Sequence, residues 1–292
     1  MSFGSPYFTL PEFTYHKPKT LSEVLELLER YGDEAKILAG GVGLIPFMKE
    51  RLISPTHVID IKEISELKKL EYRRGEGLTI GATITFSELE SYQIVREKYK
   101  ALYQAVKIAS DSIIRNRATL VGNICEAIPW VDGPPPLIAY DAEVEIRSLD
   151  KVRRVLVADF IKGPVETDLK PGEIVTSIKI PDIPDDARSG FIKFNTGSEF
   201  ALATISAYLV MKKEKRDVRL VYGAISTKPI RAFEAEKILQ GEDDIRNLIR
   251  LAAVKASEEV EVVSDVLASE EYRRHLVKVL TMKILMDLVE DD

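Results

Sequence analysis

Apolar positions recur at helical spacing in residues 20–31, where Leu21, Val24, Leu25, Leu27 and Leu28 share a face. Thr20 or Ser22 offers a cap before them, and Gly32 stands just past the end. The next apolar run, residues 35–38, is short and continuous, as in a buried strand, and delivers a glycine turn, Ala39-Gly40-Gly41-Val42-Gly43-Leu44. A helix is expected over 44–51, with Pro46 early enough that its missing N–H does no harm, and a strand over 57–61. The pattern predicts further strands at 78–82, 142–147 and 175–180, a helix opening at Ser87 and a helical stretch over 99–110. A second glycine turn, Thr119-Leu120-Val121-Gly122-Asn123, also reads as the end of a strand. Pro134, Pro135 and Pro136 stiffen the chain ahead of the apolar run 137–140, and residues 162–174 are loop-rich.

Residues 181–190 have the Pro, Asp and Gly content of a linker, and a domain boundary is expected there. Strands then follow at 191–194, 201–212 and 218–225, and helices at 232–239, 245–260 and 270–289. That order fits a small antiparallel sheet covered by helices, so the fold class is α+β, with domains at 1–182 and 190–292.

Glycines between a strand and a helix let backbone N–H groups approach a ligand and cradle an anion. Two such turns far apart in sequence suggest a ligand with two phosphates gripped from both sides, as in the pyrophosphate of a dinucleotide. Taken singly, Gly40-Gly41 is a strand-to-helix turn and Gly122-Asn123 a turn pair. Asp132 alone reads as a helix cap near Pro134, and Lys193 as a solvated charge at a strand end. The run Tyr272-Arg273-Arg274 reads as the cap and exposed face of a helix, and Trp130 as either a stacking or a core residue.

The 292 residues suffice for two or three packed subdomains, and a composition 45% hydrophobic and 30% charged is that of a globular protein. A net charge of -6 argues against a nucleic-acid-coating role. No apolar run approaches the ~20 residues of a membrane span, and Met1-Ser2-Phe3-Gly4 lacks a signal pattern, so a cytoplasmic protein is expected. A single cysteine, Cys125, excludes an internal disulfide and an iron–sulfur cluster held by this chain alone, and it reads as a small buried apolar residue. His16, His57 and His275 show no metal-ligand spacing. Redox chemistry would therefore come from an organic cofactor or a partner. Neither turn has the Lys-Ser or Lys-Thr of a phosphate loop, and no Gly-x-Gly-x-x-Gly fingerprint is present, which disfavours an unrelated nucleotide-phosphate enzyme.

The residues in order resemble the FAD-binding medium subunit of the molybdenum hydroxylases, of the carbon monoxide dehydrogenase, xanthine dehydrogenase and aldehyde oxidoreductase type. The family's Ala-Gly-Gly-x-Ser/Asp-Leu appears as residues 39–44, with Gly43 at the Ser/Asp position. Its Ile-Gly-Ala-x-Thr-Thr appears as Ile80-Gly81-Ala82-Thr83-Ile84-Thr85, and Thr-x-Gly-Gly-Asn as residues 119–123, with Val121 replacing the first glycine. Pro129-Trp130-Val131-Asp132, Tyr222-Gly223-Ala224, Pro229-Ile230-Arg231-Ala232 and Ser264-Asp265 continue the match through nearly the whole chain.

The resemblance implies a PCMH-type FAD-binding domain of two α/β subdomains, followed by a C-terminal antiparallel sheet covered by helices. It implies FAD on this chain, its pyrophosphate and ribose held by Ala39, Gly40, Gly41, Val42 and Gly43 with Leu44, and by Thr119, Val121, Gly122 and Asn123, with Thr85 nearby. Asp132 would hold a polar part of the cofactor and Lys193 would reach the flavin region, while Asn195 and Thr196 stand where the family often has an Arg pair. A β-branched Val121 is expected to keep negative φ and give up one close backbone contact. The implied partners are a large molybdenum-cofactor subunit and a small subunit with two iron–sulfur clusters, and the implied role is electron transfer to an external acceptor. The alternative is a flavin-free structural subunit of the same kind of complex.

Overall fold

The computed structural model describes residues 9–197, 200–211, 215–241 and 243–290; Met1-Ser2-Phe3-Gly4 and the Lys212 end of an expected strand lie outside them. The chain begins with a small parallel unit: β1 (Thr14–His16), α1 (Leu21–Tyr31), β2 (Ala35–Leu38), α2 (Leu44–Lys49) and β3 (His57–Asp60), with strand order β1-β3-β2. Thr20 caps α1 by accepting the N–H of Glu23, and Leu21, Val24, Leu25 and Leu28 are its buried face.

The second unit holds β4 (Leu70–Arg73), β5 (Gly77–Gly81), α3 (Phe86–Ser91), α4 (Gln93–Lys98), α5 (Lys100–Ile108), α6 (Ser112–Arg115), α7 (Leu120–Glu126) and α8 (Pro134–Ala139). It continues through β6 (Glu143–Arg147), β7 (Val152–Leu156), α9 (Val157–Phe160), the hairpin β8 (Ile161–Gly163) and β9 (Glu166–Thr167), and β10 (Ile174–Ile180). Its five-stranded antiparallel sheet runs β4-β5-β10-β6-β7.

The last unit is the antiparallel sheet β11 (Arg188–Phe194), β12 (Ala203–Val210), β13 (Asp217–Gly223) and β14 (Ile230–Arg231), in that order, with α10 (Phe233–Leu239), α11 (Ile245–Glu259) and α12 (Glu270–Glu290). α12 packs on β11 and β12 from one side, and α5 and α8 pack on the sheet from the other. All eight residues of β12 are consequently buried, which explains its nearly unbroken apolar sequence. Phe191, Tyr208, Val210 and Val221 of this sheet belong to the core of the second unit.

Several expectations shift. The segment before Thr119 is α6 and a turn, not a strand, and residues 120–126 form a helix rather than a glycine turn. The three prolines open α8, where Pro fits the first helical positions. Residues 188–190 of the expected linker are the first rungs of β11. Arg273 is not on an exposed face: it is 2% exposed, donating to the carbonyl of Val263 and to Asp265 at 2.6 Å.

Candidate functional site

The first glycine turn leaves β2 and enters α2, with Gly43 as its N-cap. Gly41 takes a left-handed φ of 78°, a conformation open to glycine at no steric cost. A Cβ on Gly40 would lie 2.1 Å from the carbonyl oxygen of Arg117, so this loop touches, backbone to backbone, the segment leading into α7. The carbonyls of Gly41 and Gly43 accept from Ile45 and Phe47. Among the described residues, the N–H groups of Gly40, Gly41, Val42, Gly43 and Leu44 have no hydrogen-bond partner.

The second hook is the first turn of α7. Thr119 Oγ1 accepts the N–H of Gly122 at 3.0 Å and the Thr119 carbonyl accepts that of Asn123, so both amides are spent on the helix start. Gly122 is required by that cap, since a Cβ there would lie 2.7 Å from Thr119 Oγ1. Val121 has the negative φ expected of it, in a helix rather than a turn, and its N–H has no partner among the described residues. Asn123 Oδ1 accepts the N–H of Gly133, tying α7 to the start of α8.

Both hooks line one cavity of about 440 Å³ between the first two units, a size typical of small-molecule sites. Ala39, Gly40, Gly41, Val42, Gly43 and Leu44 meet Thr119, Val121, Gly122 and Asn123 across it. Ile37, Ile61, Ala82, Leu169, Ile174 and Val175 supply apolar wall. Ala82 stands in the Ile80–Thr85 motif, whereas Ile37, Leu169, Ile174 and Val175 come from strands and loops with no motif of their own, and the packing of the two sheets brings them in. Cys125 also lines the cavity, and burial pushes its thiol up to about 12, which keeps it uncharged at neutral pH. Glu126, which no motif singles out, is there too, its carboxyl raised above the usual range by desolvation.

Three expected site residues stand outside this lining. Thr85 caps α3 in a reciprocal box with Glu88, and residues 84–86 pair with 118–120, so its segment supports the second hook from behind. Asp132 and Lys193 form an ion pair at 2.7 Å with both side chains buried, joining the loop after α7 to β11. Asp132 is therefore no helix cap and Lys193 no solvated charge. Burial raises the Asp132 carboxyl and the Lys193 ammonium pulls it back, while Asp132 Oδ1 is buried with no partner among the described residues. Trp130, 43% exposed, meets Phe200 edge to face at 5.6 Å instead of filling the core.

A cleft whose one wall is a row of unpaired N–H groups fits the diphosphate of a dinucleotide, and its apolar remainder fits rings and sugar carbons. Residues 11–183 match the model of the FAD binding domain in molybdopterin dehydrogenase, and residues 195–288 that of the CO dehydrogenase flavoprotein C-terminal domain. The chain belongs to this family of FAD-binding medium subunits. It has the PCMH-type fold, with α/β subdomains and a C-terminal sheet covered by helices, and is a subunit of an oxidoreductase complex of the molybdenum hydroxylase class. It is 35% identical to the glyceraldehyde dehydrogenase medium chain of Sulfolobus acidocaldarius, over 95% of this chain and 99% of that protein. It is 30% identical to the xanthine dehydrogenase FAD-binding subunit of Escherichia coli O157:H7, over 94% and 96% respectively. Among solved structures, carbon monoxide dehydrogenase from Hydrogenophaga pseudoflava superposes with a TM-score of 0.91 at 28% identity, covering 96% of this chain and 98% of that one. Quinoline 2-oxidoreductase from Pseudomonas putida gives 0.88 at 29% identity, covering 96% and 98%.

Proposed function

We propose that this medium subunit binds FAD in the cavity between its first two units and relays electrons from a partner's iron–sulfur clusters to an external acceptor. The partners in this reading are a small subunit with two such clusters and a large molybdenum-cofactor subunit that oxidises the substrate. The observation that carries the proposal is that residues 40–44 and Val121 line one cleft and that, among the described residues, none of their N–H groups has a hydrogen-bond partner. These donors are fixed before the ligand arrives, so holding an anionic bridge costs little reorganisation.

Bound there, the isoalloxazine ring would accept electrons and pass them on, while the chain supplies position and solvent control. Residues 39–44 hold the diphosphate, Thr119 and Asn123 face the adjoining ribose, and the apolar wall excludes water. Asp132 Oδ1, buried and unpartnered, is available to a polar edge of the cofactor once the loop after α7 adjusts, with Lys193 fixing the carboxylate. The likeness to the Sulfolobus glyceraldehyde dehydrogenase chain supports an aldehyde as the substrate of the assembled complex, with carbon monoxide the runner-up.

Titrating the chain with FAD while following flavin fluorescence tests the binding claim; saturable quenching at one site per chain is expected. No binding, together with a flavin-free complex isolated from the source cells, would leave the structural-subunit reading in its place. Bleaching of bound yellow flavin when an aldehyde is added to the complex tests the relay.

A further inference from the structure

Glu126 is the last residue of α7 and is followed by Ala127 in a left-handed conformation, which turns the chain away and leaves the carboxyl against the first hook. A Cβ added to Gly43 would lie 2.1 Å from Glu126 Oε1 and 2.5 Å from its Cδ, so the carboxyl group covers the very residue that caps α2. It is half-buried in the cavity wall, and among the described residues it has neither an ion-pair partner nor a hydrogen-bond partner. A carboxylate in such a place faces the row of free N–H groups that the proposed reading assigns to a diphosphate.

The other charged groups of this cleft are few. Lys36 on β2 and Glu173 beside β10 line it, and Glu173 is held by Arg153 at 2.6 Å, which keeps it well below the usual carboxylate range. Cys125 on α7 stays a neutral thiol at physiological pH. Lys49 on α2, Arg117 ahead of α7 and Glu166 on β9 are exposed and lie outside the cavity lining. Asp60 at the end of β3 is occupied by Lys62 and Tyr15. Glu126 is therefore, among the described residues, the acid of this cleft with no ion-pair partner, although Lys36 shares the lining. A ligand that brings negative charge and expels water disfavours its ionised form on both counts.

We propose that Glu126 makes flavin binding proton-linked: FAD is accepted with the Glu126 carboxyl protonated, and an ionised Glu126 opposes it. The proposal rests on FAD occupying this cavity. The proton comes from solvent and stays on Glu126 while the cofactor is bound. Affinity would then be flat at acid pH and fall as pH rises through the carboxyl's value in the free chain, by about tenfold per pH unit once that value is passed. Glu126→Gln keeps the shape, removes the charge and leaves no partner stranded.

The experiment is FAD titration of the full chain and of its E126Q variant from mildly acidic to mildly alkaline pH. Calorimetry in two buffers of different ionisation enthalpy reads the proton uptake directly. The wild-type chain is expected to show the falling affinity and to take up a proton on binding. E126Q is expected to hold the acid-pH affinity throughout with no uptake. A wild-type profile without slope or uptake overturns the proposal, as does an E126Q chain that keeps them. Uniformly weaker binding by E126Q also overturns it, because the carboxylate would then be an acceptor for the cofactor. Failure of the wild-type chain to saturate with FAD at any pH removes the underlying reading instead, and is recognised by the absence of a binding isotherm.

Discussion

Gly40 has no room for a side chain, and the obstruction is a main-chain carbonyl rather than a flexible group. Gly40→Ala forces the two hooks apart, so it should weaken FAD binding at least about tenfold and destabilise the fold by about 1–3 kcal/mol, read by flavin titration and urea unfolding. Gly43 has a different reason, since what fills its missing Cβ position is the end of the Glu126 side chain. The buried Asp132–Lys193 pair makes a second case. Lys193→Met strands a buried carboxylate and should cost about 3–5 kcal/mol of stability in the same denaturation assay, whereas the double substitution with Asp132→Asn should return much of that loss. A loss in the double variant equal to the sum of the two single losses would show that the two residues act independently.

At the scale of elements, two short helices share one capping chemistry but serve different places. Thr85 caps α3 behind the site, and Thr119 caps α7 inside it. Each loss to alanine should cost about 1 kcal/mol. Thr85→Ala should leave FAD affinity within about twofold of the wild-type chain, because its hydroxyl lies outside the cavity lining. Thr119→Ala should weaken both stability and binding, because the first turn of α7 is itself a wall. Parallel melting and titration of the two variants separates them. The glycine pattern at residues 39–44 is legible in sequence because strand, glycines and helix follow one another directly. The pattern at 119–123 is misread as a turn: Gly122 is needed by the cap at Thr119, and nothing local distinguishes that demand from a turn's.

Across the whole molecule, the second and third units are joined through buried polar contacts as well as apolar ones. Tyr140, 1% exposed, bonds Ser189 of β11 at 2.6 Å, and the N–H of Ala101 on α5 lies within reach of both hydroxyls. Arg219 of β13 binds Asp141 at 2.7 Å and the carbonyl of Ala139. Tyr140→Phe should therefore cost about 1–3 kcal/mol, with tryptophan fluorescence and far-UV dichroism still reporting one unfolding transition. Two separated transitions would mean that the units unfold independently. What the sequence settled was periodic and local: the helices α1, α11 and α12, most strands, the α+β class and the first hook. Those features follow from hydrophobic spacing and glycine conformational freedom, which act between near neighbours. The pairing of Asp132 with Lys193, the exclusion of Thr85 from the cavity, the burial of Arg273 and the place of Glu126 over Gly43 belong to tertiary structure alone. Each depends on segments distant in the chain meeting at side-chain range, and no pattern along one segment encodes that meeting.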